Sequence, residues 1–530
     1  MVSNKIKNNK KQKFLDTYIP IKYTNPQIKL ENDAIKEIED ILGVKLEIIN
    51  RVKEKINCIN IINGKVIELS INQWPIDYIP NSITNLKSLK KLILFSYNLS
   101  SLPEDFGALK NLKQLTISHS NIIKLPESFT KLVNLEKLTI SNTPLTALPE
   151  NFGDLINLKE FRLINTNVSL LPDSFEKLKN LKLARISSCQ INVLPETFCN
   201  LPSLQKLTIS NNKLTILPSN FENLKKIKEL DLKGNKISFL PPSIGNLKNL
   251  EKLDLRWNYL TELPDSIGNL LSLKFLNLAF NPLKNLPDSI GNLKNLEYLH
   301  LEHTELKSLP DSLVKLYQLK HLILNNCQIK NLPDDFSQLF ALQVLKLNNN
   351  LITKLPYTIT QLNNIKEINV RSNQIEYLPN FRYASYSLEI LNLSSNALYF
   401  LPKAIGNFRN LKILDLENNK LVKIPESIGN LKSLKILKLN KNNINTIPRS
   451  IFKLKSLKEL IIYNNPITKN DLFRNQYRYK RDKASIFEFI RKLLNYEFKN
   501  KVDIKNFVKQ YNIEGFLFDI HDPDFQFTKK

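Results

Sequence analysis

The chain has 530 residues, of which 42% are hydrophobic, so it has enough apolar residues to bury an extended core. Its 76 lysines and arginines outnumber its 50 aspartates and glutamates, which gives a net charge of +26 at pH 7. With only 11 glycines and 4 cysteines, it is a poor candidate for a glycine-rich phosphate loop, a flexible linker protein, a zinc ribbon or a disulfide scaffold. We find neither a secretory leader nor an apolar run of about 18 residues, and therefore expect a cytoplasmic protein without membrane insertion.

The N-terminal region divides into two parts. Residues 1–25 are rich in lysine and asparagine, and we predict a basic, flexible tail. Residues 26–65 are predicted to form a cap made of a helix and a hairpin. Asp33 is a suitable N-cap for a helix that ends near Gly43, and Asn63-Gly64 is a typical tight turn between two short strands.

A 23-residue pattern, LxxLxLxxNxLxxLPxxIxxLxx, begins at residue 66. It recurs in 17 complete copies through residue 456 without insertion or deletion, and a partial copy ends near residue 467. A fixed period of this length is typical of repeat proteins, in which each repeat covers the apolar side of its neighbour. We therefore predict a solenoid over residues 66–467.

Each half of the repeat indicates a different element. Repeat positions 4 and 6 are apolar with polar neighbours, as in Leu253 and Leu255, which indicates a short strand with one buried face. The second half, LPxxIxxLxx, suits a short helical or 3₁₀ turn that begins after the proline at position 15. Stacked copies would place the strands in a parallel sheet on one side and the turns on the other.

Repeat position 9 is asparagine in ten copies, and a buried asparagine amide can bond the backbone of adjacent repeats. We predict a structural ladder formed by Asn212, Asn235, Asn258, Asn281, Asn350, Asn373, Asn396, Asn419, Asn442 and Asn465. The same position is occupied by other small residues at Ser120, Thr143, Thr166, Cys189, Thr304 and Cys327.

The repeat resembles that of the leucine-rich-repeat family. The second half, as in LPDSIGNLKNL at 286–296, is similar to the intracellular Ras-group subclass. This resemblance implies an α/β horseshoe with a parallel β-sheet on the concave face and helical or 3₁₀ turns on the convex face. It also implies a non-catalytic scaffold that binds protein partners, with a small-GTPase pathway component as one possible partner in signalling.

The C-terminal residues 468–530 are predicted to be a helical cap with a tail. Ser485 and Glu488 fit a capping box at the start of one helix, and a second helix is predicted around 503–511. The tail contains a DIHDPD segment at 519–524, which we interpret as a solvated acidic stretch and not as a metal site.

We find no catalytic pattern in the sequence. It lacks GxxxxGK[ST], the protein-kinase signature set and GxSxG, and its last cysteine, Cys327, lies inside a repeat. We therefore predict that the protein is not an enzyme and needs no cofactor.

The positive charge is not concentrated where a nucleic acid would lie. Repeat positions 3, 5, 7, 8 and 10, which should face outward from the sheet, hold 15 basic and 11 acidic residues over all repeats. We therefore predict no specific nucleic-acid binding. The alternative is an electrostatic adaptor that binds anionic membrane or nucleic acid through lysines on the outer turns.

Four adjacent repeats concentrate aromatic and histidine residues at the outward positions. One of the chain's two tryptophans and three of its five histidines lie there. Aromatic residues and arginine dominate binding hot spots, so we predict a partner-binding surface on the concave face. A second interpretation is that the rings only stack on each other and stabilise the sheet. The predicted residues are Asp254, Arg256, Trp257, Tyr259, Phe275, Phe280, Tyr298, His300, Glu302, His303 and His321.

Overall fold

A computed structural model describes residues 26–52, 56–72, 76–381 and 386–468, together with three short strands nearer the C-terminus. The described residues fall into two compact units, an N-terminal unit up to Lys213 and a C-terminal unit from Leu214 onward. The predicted tail at 1–25 lies outside the described residues, as do the predicted helices near Ser485 and at 503–511.

The N-terminal unit opens with helix α1, Pro26–Leu42. The helix begins seven residues before Asp33, so the prediction that Asp33 is its N-cap is wrong. Proline is well suited to the first turn of a helix, because an N–H at that position would have no intrahelical partner. Pro26 was therefore the sequence signal for the true start of α1. The helix buries Ala34, Ile38 and Leu42, which recur at four-residue spacing on one face.

Two polar contacts attach α1 to the repeats. The carboxylate of Glu31 is fully buried and accepts a hydrogen bond from the backbone N–H of Val66 at 2.8 Å. The side-chain amide of Gln27 donates to the carbonyl of Asn85 at 2.6 Å. The helix therefore covers the first repeats of its own unit and shields their apolar side from water.

A hairpin follows the helix. Strands β2 (Cys58–Ile62) and β3 (Lys65–Asn72) pair antiparallel, and β1 (Glu47–Ile48) pairs parallel with β2. Asn63 and Gly64 both have positive φ, 52° and 73°, which is the backbone that a two-residue hairpin turn requires. The turn lies at the predicted Asn63-Gly64 pair.

From β3 onward the strands of the N-terminal unit pair in parallel, each with the strand 23 residues later. They are β4 (Lys91–Phe95), β5 (Gln114–Ser118), β6 (Lys137–Ser141), β7 (Glu160–Ile164), β8 (Leu183–Ser187) and β9 (Lys206–Thr208).

The C-terminal unit contains eleven strands that pair in parallel at the same 23-residue register. Each is three residues long. They are β10 (Glu229–Asp231), β11 (Lys252–Asp254), β12 (Phe275–Asn277), β13 (Tyr298–His300), β14 (His321–Ile323), β15 (Val344–Lys346), β16 (Glu367–Asn369), β17 (Ile390–Asn392), β18 (Ile413–Asp415), β19 (Ile436–Lys438) and β20 (Glu459–Ile461).

The described residues beyond 468 are strands. β21 (Tyr479–Lys480) pairs antiparallel with β20, and β22 (Phe516–Phe518) pairs antiparallel with β23 (Phe527–Lys529).

Short 3₁₀ turns follow the proline of the repeat in both units, as the sequence predicted. In the N-terminal unit they are Asn81–Asn85, Phe106–Ala108, Glu127–Lys131, Phe152–Asp154, Asp173–Lys177 and Glu196–Cys199. In the C-terminal unit they are Phe221–Asn223, Pro242–Asn246, Asp265–Asn269, Asp288–Asn292, Asp311–Lys315, Phe336–Gln338, Tyr357–Gln361, Lys403–Asn407, Glu426–Asn430 and Arg449–Lys453. A further 3₁₀ turn, Pro466–Thr468, begins at position 10 of the partial repeat.

The core of each unit lies between the strands and these turns. Leu253 from β11, Leu255 just after it and Ile267 from the following turn are all fully buried, and the pattern recurs in most of the described repeats. One face of each sheet is therefore covered by the turns. The other face, which we call the open face, carries the outward positions of the repeat.

The asparagine at position 9 bonds two repeats at once. The side-chain amide of Asn258 donates to the carbonyl of Leu255 in its own repeat at 2.9 Å and to that of Leu232 in the preceding repeat at 3.0 Å. Its side-chain oxygen accepts from the N–H of Ile237 at 3.0 Å. Because the side chain is 5% exposed, these bonds satisfy backbone groups that water cannot reach.

Other residues at position 9 satisfy the backbone less fully. Thr304 donates to the carbonyl of Leu301 at 2.9 Å, and its hydroxyl lies 3.2 Å from the sulfur of Cys327. The buried hydroxyls of Ser120 and Thr143 have no hydrogen-bond partner. The asparagine side chain has both an N–H donor and an oxygen acceptor, and it is long enough to bond backbone groups of two repeats. A shorter hydroxyl or thiol side chain does not provide the same set of bonds.

A second ladder, which we did not predict, follows the turn side of the repeats. The amide of Asn295, at position 23, donates to the carbonyl of Leu271 at 2.8 Å, and Asn249 donates to Lys225 at 2.8 Å. The sequence signal was present, because position 23 is asparagine or serine in 14 of the 17 complete repeats. These exposed side chains bridge their repeats to the previous ones, in addition to the buried ladder.

The buried ladder can be tested with one substitution at two asparagines. We expect Asn258→Leu to lower the free energy of unfolding by about 1–3 kcal/mol, because buried backbone groups lose their partners. The same change at Asn269, which is exposed in the turn Asp265–Asn269, should stay within about 0.5 kcal/mol. Urea-unfolding midpoints measure both, and equal midpoints would contradict the ladder's role.

Candidate functional site

The predicted partner-binding residues lie together on the open face of the C-terminal unit. Their strands, β11 to β14, pair in register, so that Lys252, Phe275, Tyr298 and His321 form one row across the sheet. We call the whole group the central patch, and it comprises Asp254, Arg256, Trp257, Tyr259, Phe275, Phe280, Tyr298, His300, Glu302, His303 and His321.

Three rings at repeat position 8 form the first stack. The rings of Trp257 and Phe280 are nearly parallel, with centroids 3.8 Å apart and planes 6° apart. Phe280 in turn stacks on His303, with centroids 4.5 Å apart and planes 18° apart. Trp257 is still 52% exposed, so stacking covers only part of its surface.

The second stack lies at repeat position 3. Phe275 and Tyr298 stack with centroids 4.7 Å apart and planes 6° apart, and His321 lies tilted beyond Tyr298 at 5.7 Å. The ammonium group of Lys252 lies 5.1 Å from the centroid of Phe275 and extends this row by a cation–π contact. All three rings are half-buried.

Asp254 and Arg256 lie between the two stacks. The guanidinium of Arg256 lies 3.1 Å from the carboxylate of Asp254, which also accepts the backbone N–H of Arg256 at 3.2 Å. Asp254 is 3% exposed, and burial raises the pKa of its carboxyl even though Arg256 opposes that change. In this arrangement Asp254 positions Arg256 and has little surface to offer a partner directly.

A second polar group lies two repeats further along the sheet. His300 Nε2 lies 3.0 Å from a carboxylate oxygen of Glu302, and the Tyr298 hydroxyl lies 3.4 Å from His300 Nδ1. The amide of Asn326 lies 3.1 Å from His303 and 3.3 Å from Glu302. These contacts hold the histidine rings in fixed orientations.

A groove of about 600 Å³ runs beside the first stack. Its walls combine the rings of Trp257, Tyr259, Phe280 and His303 with polar side chains such as Glu305. Tyr259, which is 58% exposed, contributes to this groove and not to the space between the stacks. The groove can accept an apolar side chain of a partner while the polar groups nearby fix its orientation.

The backbone at repeat position 8 adds an observation that the sequence analysis missed. From His119 onward this position has a left-handed backbone in every described repeat, with φ between 51° and 68°. Asparagine, serine and glycine, which adopt this conformation most easily, occupy most of the repeats. Trp257 (φ 58°) and Phe280 (φ 57°) are bulky residues, for which this conformation is strained.

The sequence carried a signal for this left-handed backbone, because asparagine and serine are frequent at repeat position 8 and tolerate positive φ better than most residues. They are Asn142, Asn165, Ser188, Asn211, Asn326, Asn349, Ser372, Ser395, Asn418 and Asn464.

Metal binding finds no support in the part of the chain that the structure describes. No group of three or more histidine, cysteine, aspartate or glutamate side chains there is arranged to hold a metal ion. The DIHDPD segment at 519–524 lies outside the described residues. All four cysteines are buried and none of them forms a disulfide, and burial raises the pKa of Cys199 to about 12.

Among the described residues, no helix is both long and apolar enough to span a bilayer.

The strain at position 8 predicts that Trp257→Asn costs little stability. Loss of the stack on Phe280 costs about 0.5–1.5 kcal/mol, while relief of the left-handed strain returns about 1–2 kcal/mol. We expect the free energy of unfolding to change by less than about 1 kcal/mol. Phe336→Asn, in the fully buried core, should cost at least about 3 kcal/mol. If chemical denaturation shows that Trp257→Asn lowers the free energy of unfolding as much as Phe336→Asn does, the stack has a purely structural role.

His321 predicts a specific pH dependence of stability. Partial burial, with Lys320 and Lys346 nearby and only Glu367 opposing, lowers the pKa of His321 below its ordinary value of 6.5. As the pH falls through about 6.5, the unfolded chain therefore takes up this proton first, and stability is lost. His321→Gln should reduce the fall in melting temperature between about pH 7.5 and 5.5. Glutamine is an acceptable replacement, because it occurs at the same repeat position at Gln114. If the melting temperatures of the wild type and of His321→Gln fall in parallel with pH, His321 is not the group responsible.

Family models match most of the repeat region. A model described as a leucine-rich repeat region matches residues 65–166, 265–329 and 388–475. Two further leucine-rich-repeat models match residues 185–237 and 317–375, and residues 249–270. No curated protein matches the chain significantly.

Solved structures agree with these models. A leucine-rich-repeat protein of Leptospira interrogans is 36% identical, with a TM-score of 0.63, over 70% of this chain and 95% of its own. The Arabidopsis receptor kinase HAESA, solved with the peptide hormone IDA and the co-receptor SERK1, is 25% identical, with a TM-score of 0.57, over 83% of this chain and 82% of its own.

Toll from Drosophila, solved in complex with Spatzle, is 21% identical, with a TM-score of 0.65, over 76% of this chain and 58% of its own, and it shares the fold. The 23-residue register, the parallel sheets, the 3₁₀ turns and the Leptospira protein all lead to one assignment. The chain belongs to the leucine-rich-repeat family.

Proposed function

We propose that this protein is a non-catalytic scaffold that binds a protein partner on the open face, with the central patch as the main contact surface. The leucine-rich-repeat fold is generally a scaffold for protein–protein interaction, which supports the general role. The position of the contact surface and the nature of the partner are our own inferences.

One observation carries the proposal. Trp257, Phe280 and His303 occupy three adjacent copies of a backbone position at which most repeats have asparagine, serine or glycine. Stacking alone is a weak reason for this choice, because the strain of a left-handed bulky residue is about as large as the gain from a stacked pair. An exposed ring held in a strained conformation is therefore better explained by a contact with a partner.

The mechanism would be recognition by a preformed surface. The rings are held by each other, and Arg256 and His300 are held by the carboxylates of Asp254 and Glu302. Side chains that are already ordered lose little conformational entropy when a partner binds, so more of the contact energy appears as affinity. A basic residue between two aromatic rows is also a typical hot-spot composition.

The finer predictions made from the sequence remain predictions. The Ras-group subclass, a signalling role, a small-GTPase pathway component and a cytoplasmic location find no specific support in the matches reported above. The structures solved with peptide or protein ligands concern those receptors themselves, and they make a protein or peptide partner a reasonable expectation for this chain.

Affinity capture from native lysate tests the proposal. We expect Trp257→Asn and Phe280→Asn each to weaken capture of a specific partner by at least about 2 kcal/mol, or roughly thirtyfold. Phe340→Asn is the matched control, because Phe340 is similarly exposed and stacks on Tyr317, at 5.8 Å, outside the central patch. A partner that all three variants retain would refute the proposal.

The salt dependence of capture separates the alternative. An electrostatic adaptor for membrane or nucleic acid should lose most of its binding between about 50 and 200 mM salt, whereas contacts of aromatic rings should be much less affected.

A further inference from the structure

The first stack ends at a residue without a side chain. Phe280 covers one face of the Trp257 ring from the following repeat, so the other face is directed toward the preceding repeat. There, repeat position 8 is Gly234, whose N–H donates to the carbonyl of Arg256 at 2.9 Å and whose φ is 68°. The missing side chain leaves space for one more flat group on the exposed face of Trp257. We call this space the glycine slot, bounded by Gly234 and Trp257.

The opposite end of the same stack is closed. The amide of Asn326, at position 8 of the next repeat, lies 3.1 Å from the ring nitrogen of His303. An asparagine at position 8 therefore reaches the ring of the adjacent repeat. Glycine is the residue at position 8 that leaves the neighbouring ring free, and it stands next to the tryptophan.

The charges around the glycine slot are basic. Lys233 and Lys236 lie on either side of Gly234 at repeat positions 7 and 10, and they are half-buried and exposed, respectively. Neither ammonium group has an ion-pair partner in the described part of the chain. Arg256, beside Trp257, has a buried Nε–H without a hydrogen-bond partner.

Two carboxylates lie in the same two repeats. The carboxylate of Asp231 accepts the backbone N–H of Lys233 at 3.0 Å, and Asp254 is buried against Arg256. The slot therefore offers an indole face together with three cationic side chains, Lys233, Lys236 and Arg256, against the two carboxylates of Asp231 and Asp254, of which Asp254 is buried.

We infer that the partner inserts an aromatic side chain, flanked by carboxylates, into the glycine slot. The inserted ring would become the fourth member of the stack and cover the exposed face of Trp257. The flanking carboxylates would pair with Lys233, Lys236 and the exposed part of the Arg256 guanidinium. This inference rests on the proposed function, because it identifies which chemical class of segment the central patch binds.

Two other occupants fit less well. A guanidinium also stacks on indole, but here it would lie between two lysines and beside an arginine, and would be repelled. An aliphatic side chain would cover the ring but lacks a flat face that could stack in parallel, as Phe280 does on the other side of Trp257. An acidic segment that carries phenylalanine, tyrosine or tryptophan satisfies both the shape and the charge.

Tryptophan fluorescence gives a direct test, because the chain has only two tryptophans. In the full chain with Trp74→Phe, Trp257 is the sole tryptophan. The probes are acetylated tripeptide amides, Asp-Phe-Asp, Asp-Leu-Asp and Lys-Phe-Lys. We expect a saturable change of Trp257 emission with Asp-Phe-Asp and about tenfold weaker binding of the other two. No change with Asp-Phe-Asp at millimolar concentration, or equal binding of all three, would overturn the inference.

Gly234→Phe should fill the slot from within and abolish binding of Asp-Phe-Asp. Phenylalanine is accommodated in the same left-handed conformation at Phe280. If this variant does not fold, Gly234→Asn serves instead, because asparagine occupies the position in seven other repeats and should weaken probe binding about fivefold or more. The double change of Lys233 and Lys236 to Gln should weaken Asp-Phe-Asp and leave the melting temperature unchanged. Retention of tight probe binding by these variants would contradict the slot.

Partner capture with the same variants separates the two proposals. Loss of the native partner with both Trp257→Asn and Gly234→Phe supports both. Loss with Trp257→Asn but full retention with Gly234→Phe would overturn the glycine slot and leave the central patch standing. Retention with Trp257→Asn would refute the proposed function itself, whatever the tripeptides do.

Discussion

The structure depends on the hydrogen bonds by which each repeat satisfies the backbone of the preceding one. A single repeat exposes its leucines on one side and unpaired N–H and carbonyl groups at its turn. The position-9 asparagine, as at Asn258, meets three of these groups in two repeats while remaining buried. Because this geometry requires the same offset each time, an insertion would break both the ladder and the core, and the 23-residue spacing is kept without exception.

The same spacing makes columns of side chains on the open face. Residues 23 positions apart lie beside each other on neighbouring strands, as the pairing of Phe275 with Tyr298 illustrates. The outward positions can therefore change without disturbing the core, and the central patch is such a change over four repeats. Its cost is local and is found in the backbone of Trp257 and Phe280, which adopt a conformation that suits asparagine or glycine better.

Electrostatics in the central patch act mainly on orientation. Asp254 fixes Arg256, and Glu302 fixes His300, so each of these two donors is held by a carboxylate within about 3 Å. The surface is thereby prepared before any partner arrives. The glycine slot is preformed in the same way. Because Gly234 has no side chain, one face of the Trp257 ring stays uncovered beside Lys233 and Lys236, which have no ion-pair partners among the described residues.

The sequence alone determined the repeat boundaries, the strand and turn halves, the ladder asparagines and the concentration of rings in four repeats, because each of these follows from spacing along the chain. It did not reveal that α1 begins at Pro26, that Asp254 is buried, or that position 8 is left-handed, although asparagine and serine there were a signal. Only the tertiary structure decided which face of Trp257 is covered and which is open. That depends on how rings from different repeats are oriented, and ring orientation is set by packing across strands and not by the order of residues.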